Sequence, residues 1–132
     1  MIKAGDAIPS RIFWIDRELL KKYADASGDQ NPIHQDEEFA KSVGLPDVIA
    51  HGMLTMALVG KFLTDWAQNP EAIKEFSARF IKPVIVPATG KVDLTLTGTV
   101  LEESNGLLNL TVQATSAGVK VLGMTKALVQ LS

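Results

Sequence analysis

The chain has 132 residues, of which 46% are hydrophobic and 21% charged, with a net charge of −2 and no cysteine. That composition describes one ordinary globular domain over residues 1–132 with a core of its own, and excludes a disordered tail. It also excludes disulfides and thiolate metal ligands, and gives no electrostatic case for nucleic acid or an anionic membrane as the main partner.

The first residues, MIKAGDAIPSR, hold no apolar secretion signal, and no apolar stretch is long enough to span a bilayer. With the missing cysteines, this leads us to expect a cytoplasmic protein. Residues 8–15 (IPSRIFWI) read as a short strand. Asp16 then caps a helix through Ala26, with Leu19, Leu20, Tyr23 and Ala24 on one stripe.

The next stretch, Ser27 to His34, is SGDQNPIH. Asn31 is a good N-cap and proline suits the first helical position, so a small helix is expected from Pro32. It carries Phe39 and Ala40 and ends near Gly44, with Pro46 beyond. Met53 to Gln68 (MLTMALVGKFLTDWAQ) is the main helix. Its first two turns, Met53 to Val59, are apolar almost all round, which predicts burial on every side. Its second half carries a polar stripe of Lys61, Thr64, Asp65 and Gln68, and Asn69-Pro70 stops it. Gly60 lowers helix propensity and marks a place for a close neighbour or a ligand.

From Phe76 onward the period changes to two. Ser77–Val86 is expected to be a strand, with Pro83 and Pro87 near its end or on an edge. Val92, Leu94 and Leu96 alternate with polar residues, as do Leu108, Leu110, Val112 and Ala114. Val119 to Leu131 is a third, less regular strand in which Gly123 marks a bulge. Asn105-Gly106 and Ala117-Gly118 separate antiparallel neighbours. Lys91 to Glu103 extends over roughly 40 Å, whereas the main helix covers about 25 Å. Strands that long must curl, and an apolar helix needs something curled round it. The expected fold is α+β, a curved antiparallel β-sheet wrapped around a central α-helix. Its open edge predicts dimerisation through sheet and helix.

Two readings of SGDQNPIH compete. In the plain one, Asn31 and Pro32 start a helix, Gly28 permits the turn, Asp29 is a solvated acid and His34 a polar residue of the first turn. In the chemical one, His34 is the third helical residue at the positive end of the helix dipole. The ring then stays neutral and able to take a proton, with Asp29 held over the same point. An acid and a neutral imidazole converging on one spot suit proton abstraction and leaving-group protonation. Ala50-His51-Gly52 opens the main helix, whose first amides lack intrahelical acceptors, and Gly52 has no side chain to block approach. Such a helix start can cradle a carbonyl or oxyanion. The plain reading there is a helix start satisfied by water or a neighbouring loop.

Tyr23-Ala24, Ser27 to His34, Phe39-Ala40 and Ala50-His51-Gly52-Met53-Leu54 together resemble the MaoC-like, R-specific enoyl hydratase family, and the likeness runs the full length of the chain. GLPDVIAHGMLTM and NPEAIKEFSARF look closest to the catalytic subunit of actinobacterial (3R)-hydroxyacyl-ACP dehydratases of fatty-acid elongation. The resemblance implies the hot-dog fold and reversible addition or removal of water across C2–C3 of an acyl-ACP or acyl-CoA thioester. It implies Asp29 and His34 as the catalytic pair, with Gly52 binding the thioester carbonyl and Asn31 ordering the loop. Met53 and Gly60 are expected beside the substrate. Some relatives carry a serine where this chain has Gly60, which puts a hydroxyl-dependent role there in doubt.

No cofactor or metal is expected. Asp29, His34, Asp36 and His51 could be imagined as ligands, but Asp36 should point away from His34 on a helix. His51 is read as a residue bonded to backbone. Arg79, Lys82 and Lys91 could meet the phosphates of a carrier, or could simply be solvated. The expected partner is a second hot-dog domain, in a homodimer or a heterodimer. The alternative function is a non-catalytic acyl-binding subunit of a heteromeric dehydratase. A CoA-specific hydratase of oxidation remains a chemical rival, and a thioesterase fits less well.

Overall fold

A computed structural model describes residues 2–131. Strand β1 (Ala7–Ile15) leads into helix α1 (Arg17–Ser27), whose cap Asp16 accepts a hydrogen bond from the Leu19 amide at 2.8 Å. Helix α1 ends at Gly28, which takes φ 82°, a left-handed conformation that glycine adopts without strain.

The expected single helix from Pro32 to Gly44 is broken in two. Pro32–His34 forms one 3-10 turn capped by Asn31, and α2 (Glu37–Ser42) follows with its own cap, Asp36, which accepts from the Phe39 amide. A second good capping residue four positions after Pro32 restarts the helix and rotates it. A single 3-10 turn builds almost no macrodipole, so the dipole argument made for His34 does not hold.

The main helix, α3, runs Gly52–Ala67. It is not buried on every side. Leu54, Thr55, Val59, Phe62 and Leu63 face the core, while Met53 is 63% exposed and Ala57 is exposed. The domain's sheet covers one side of the helix only.

Five further strands complete the sheet: β2 (Ile73–Phe80), β3 (Val92–Ser104), β4 (Leu107–Ser116), β5 (Val119–Lys120) and β6 (Leu122–Gln130). Their order is β1-β3-β4-β6-β2, all antiparallel, with β5 paired to β4, so β1 and β2 are the edges. Strand β2 lies earlier than the expected Ser77–Val86. After Phe80 the chain turns away: the Ile81 amide donates to Val121, and residues 84–86 pair with the loop before α3 through Ala50 N to Val84 O and Val86 N to Val48 O. Pro83 and Pro87 have no amide proton for a ladder and fall outside it. The bulge sits where expected. Ser77 faces Lys126 and Arg79 faces Gly123, so β6 carries one extra residue there, and Met124 takes φ 51°.

The period-two pattern sets the core face. Leu94, Leu96, Leu108, Leu110, Val112 and Ala114 are all buried against α3 and its neighbours. Each such leucine contributes roughly 1.5–3 kcal/mol of burial. The arrangement is the α+β fold expected, a curled antiparallel sheet around a central helix. Among the described residues, no helix is long and apolar enough to cross a membrane.

Candidate active site

Two loops are laced together at the start of α3. The Ile49 amide donates to Ile33 O at 3.2 Å, His34 Nδ1 bonds Ile49 O at 2.7 Å, and His51 Nε2 bonds Asp29 O at 3.1 Å. The second loop is anchored from behind: Arg17 donates to Asp47 and to Val86 O. Within the first loop, Asp29 Oδ1 accepts from the Asn31 amide and Asn31 Oδ1 from the Ile33 amide. Consecutive side-chain turns of this kind stiffen a short loop without regular structure.

A carbonyl oxygen can only accept, so the bond to Ile49 assigns the proton of the neutral His34 ring to Nδ1 and leaves Nε2 with a free lone pair. The same logic puts the His51 proton on Nε2 and leaves Nδ1, which is buried, without a partner. His51 is 1% exposed and His34 6% exposed; their rings stack with centroids 3.8 Å apart at 22°, and Tyr23 meets His51 edge-on at 4.8 Å.

A carboxylate oxygen of Asp29 and one ring nitrogen each of His34 and His51 lie within 4.8 Å of one another. Metal ligation needs lone pairs that converge. His34 Nδ1 and His51 Nε2 are both committed to backbone carbonyls, and the remaining His51 nitrogen, Nδ1, is buried without a partner. The donor set does not fit a metal. Asp36 caps α2 and takes no part.

A cavity of about 280 Å³ opens beside this cluster. Among its walls are His34 and Gly52, together with Thr55, Phe80, Lys82 and Val84. Asp29 stands exposed next to His34, and neither it nor Asn31, Met53 or Gly60 lines the cavity. A Cβ on Gly52 would sit 3.1–3.5 Å from the Phe80 ring, so a larger residue there would close the space over the first amide of α3. A Cβ on Gly60 would meet nothing within 4 Å, so no neighbour in this chain requires glycine at that position. Of the three basic residues considered, Lys82 reaches the cavity, while Lys91 lies over the Trp14 ring at 5.8 Å. Thr55 and Phe80 were not singled out in the sequence. Thr55 is a lone hydroxyl in an apolar run, three residues after Gly52 and hence on the same helix face, which is a legible signal. Phe80 comes over Gly52 only through the fold.

Burial pushes His51 below its ordinary value of 6.5, and the neighbouring His34 adds to the effect against the bond to Asp29 O. The unfolded chain therefore binds more protons than the folded one just below pH 6.5, and stability falls as pH drops through that window. Thermal melts between pH 7.5 and 5.5 should show a falling midpoint, with a shallower fall in His51→Phe. Equal slopes would show that His51 does not carry the effect.

A family model described as "MaoC like domain" matches residues 10–117. A 3-hydroxyacyl-thioester dehydratase X of Mycobacterium tuberculosis is 37% identical over 117 residues, 89% of this chain and 38% of that protein. A solved structure titled as a MaoC-like dehydratase superposes with a TM-score of 0.96 at 38% identity, covering 99% of this chain and 41% of the other. The chain thus spans well under half the length of both. The ChsH1-ChsH2 complex of Mycobacterium tuberculosis matches with a TM-score of 0.85 at 24% identity, over 98% of this chain and 99% of that one, and speaks to the fold alone.

Proposed function

Because the chain belongs to the MaoC-like domain family, we propose that it is a hydro-lyase acting on acyl thioesters, a (3R)-hydroxyacyl thioester dehydratase and R-specific enoyl thioester hydratase. The observation that carries this reading is the single cavity shared by the His34 ring and the first residue of α3, with the Asp29 carboxylate beside the ring.

In the dehydration direction the thioester carbonyl accepts from the Gly52 amide, which has no intrahelical partner. Withdrawal of charge there acidifies the C2 proton. His34 Nε2 takes up that proton, the C3–O bond breaks, and the hydroxyl leaves as water with a proton returned from the Asp29–His34 pair. The pair ends in its starting protonation state. In hydration it holds and polarises the incoming water. Asn31 orders the loop through its bond from the Ile33 amide, and Lys82, on the cavity wall, meets the anionic carrier. No step calls for a cofactor.

The open side of α3 around Met53 and Ala57, with the free edge of β2, supports pairing with a second hot-dog domain. A homodimer and a heterodimer with a related subunit both satisfy that geometry. Cytoplasmic fatty-acid elongation is the proposed setting, on the cysteine-free composition and the motifs.

An absorbance assay of crotonyl-CoA and a longer trans-2-enoyl-CoA, with the same acyl groups on carrier protein, tests the activity. Consumption of the double bond with a 3R product is expected. No turnover of any of the four by the assembled protein would refute the proposal. Gly60 is proposed to leave room beside α3 for a longer acyl chain, so Gly60→Ser should lose about tenfold on the longer substrate and little on crotonyl-CoA. Equal activities would remove Gly60 from the site.

A further inference from the structure

We propose that His51 is a positioning residue for the proton relay: its Nε2–H holds the main chain of Asp29, its ring backs the ring of His34, and its own peptide leads into Gly52. This rests on the hydro-lyase reading of the site. One imidazole would then set all three parts of the machinery. Asp29 is fixed through its carbonyl at 3.1 Å and His34 through a stack at 3.8 Å, while the first amide of α3 follows directly in the chain.

The geometry separates this role from the others open to a histidine. His51 does not line the cavity, and its one N–H is spent on Asp29 O, so it does not reach substrate as a second base. A histidine kept for the core alone is normally satisfied at both nitrogens, yet Nδ1 here is buried without a partner. An orphaned nitrogen is tolerated where a flat ring and a single donor are both needed. Glutamine supplies the donor without the flat face, and phenylalanine supplies the face without the donor. The titratable groups facing the ring are His34 from the 3-10 turn, Asp29 from the loop and Tyr23 from α1. None of them offers a second hydrogen bond to it. As N-cap of α3, His51 also makes no side-chain bond to its own helix, so the side chain serves the neighbouring loop instead.

Two variants of the full chain in its native assembly test this. His51→Phe should lower kcat per folded molecule by about 10- to 100-fold with KM little changed, because a displacement of about 1 Å at the reacting groups costs that much. Amide hydrogen exchange at Asp29, Asn31, Ile33 and His34 should quicken in the same variant. His51→Gln, which returns an N–H to Asp29 O, should recover a large part of both. Full kcat in His51→Phe would overturn the proposal, as would lost kcat with unchanged loop exchange, or a glutamine variant no better than phenylalanine. If the wild type turns over no thioester, the hydro-lyase reading fails, and the exchange comparison alone decides whether His51 holds the loop.

Discussion

Asp29→Asn and His34→Ala should each lower kcat for enoyl thioester hydration by about 10³-fold, roughly 4 kcal/mol of transition-state stabilisation. The Asp29 variant is the cleaner of the two. The native carboxylate accepts one hydrogen bond, from the Asn31 amide, and an asparagine Oδ1 accepts the same bond, so the loop survives while the charge disappears. The side chain is exposed and packs no core, and the melting temperature should stay within a few degrees. His34→Ala is different in kind. It removes the donor to Ile49 O and the ring stacked on His51, at a structural cost of about 1–3 kcal/mol. Its rate must be expressed per folded molecule, from melts run alongside the assay. Full turnover in both variants would dismiss the pair as the relay.

Gly52→Val should lower kcat/KM by about 10²-fold or more without unfolding the protein. The valine keeps the α3 amide but fills the approach to it, and its Cβ already lies 3.1 Å from the Phe80 ring. Losing one preorganised donor at a developing oxyanion costs about 10²–10³ in rate, which sets the scale when access is closed. Gly52 is exposed at the first position of the helix, so burial in the core is untouched. Gly52→Ala should fall between the two, because half-exposed Phe80 has room to give way by a few tenths of an ångström. Normal kinetics in Gly52→Val would mean that the thioester carbonyl binds elsewhere.

Much of this molecule was legible in one dimension because its signals are local. Asp16 and Asn31 cap the turns expected of them, and Asn105-Gly106 and Ala117-Gly118 both take positive φ between paired strands. Apolar residues at alternate positions of β3 and β4, Leu94 and Leu96 and then Leu108, Leu110, Val112 and Ala114, predicted the buried face. The misreadings share one cause. Asp36 competes with Asn31 for the start of a helix, and only the path of the chain between them decides that both win. Residues 84–86 look like a strand and do pair, but with residues 48–50 rather than with the sheet. The apolar turns of α3 predicted burial on every side, whereas Met53 and Ala57 stay exposed because the sheet covers one side of the helix only.

By itself, then, the sequence determined the caps, the period-two strands and the long helix, and it nominated Asp29, His34 and Gly52 as the candidate set for the chemistry proposed above. Each of these follows from side-chain type and short spacing, where backbone geometry leaves few choices. Only the tertiary structure decided how they meet. It brings His51 behind His34, places the Asp29 carbonyl on an imidazole 22 residues away, and swings Phe80 from the edge strand over Gly52. Those contacts join segments far apart in the chain, and their partners are chosen by how the sheet curls around the helix rather than by any local pattern.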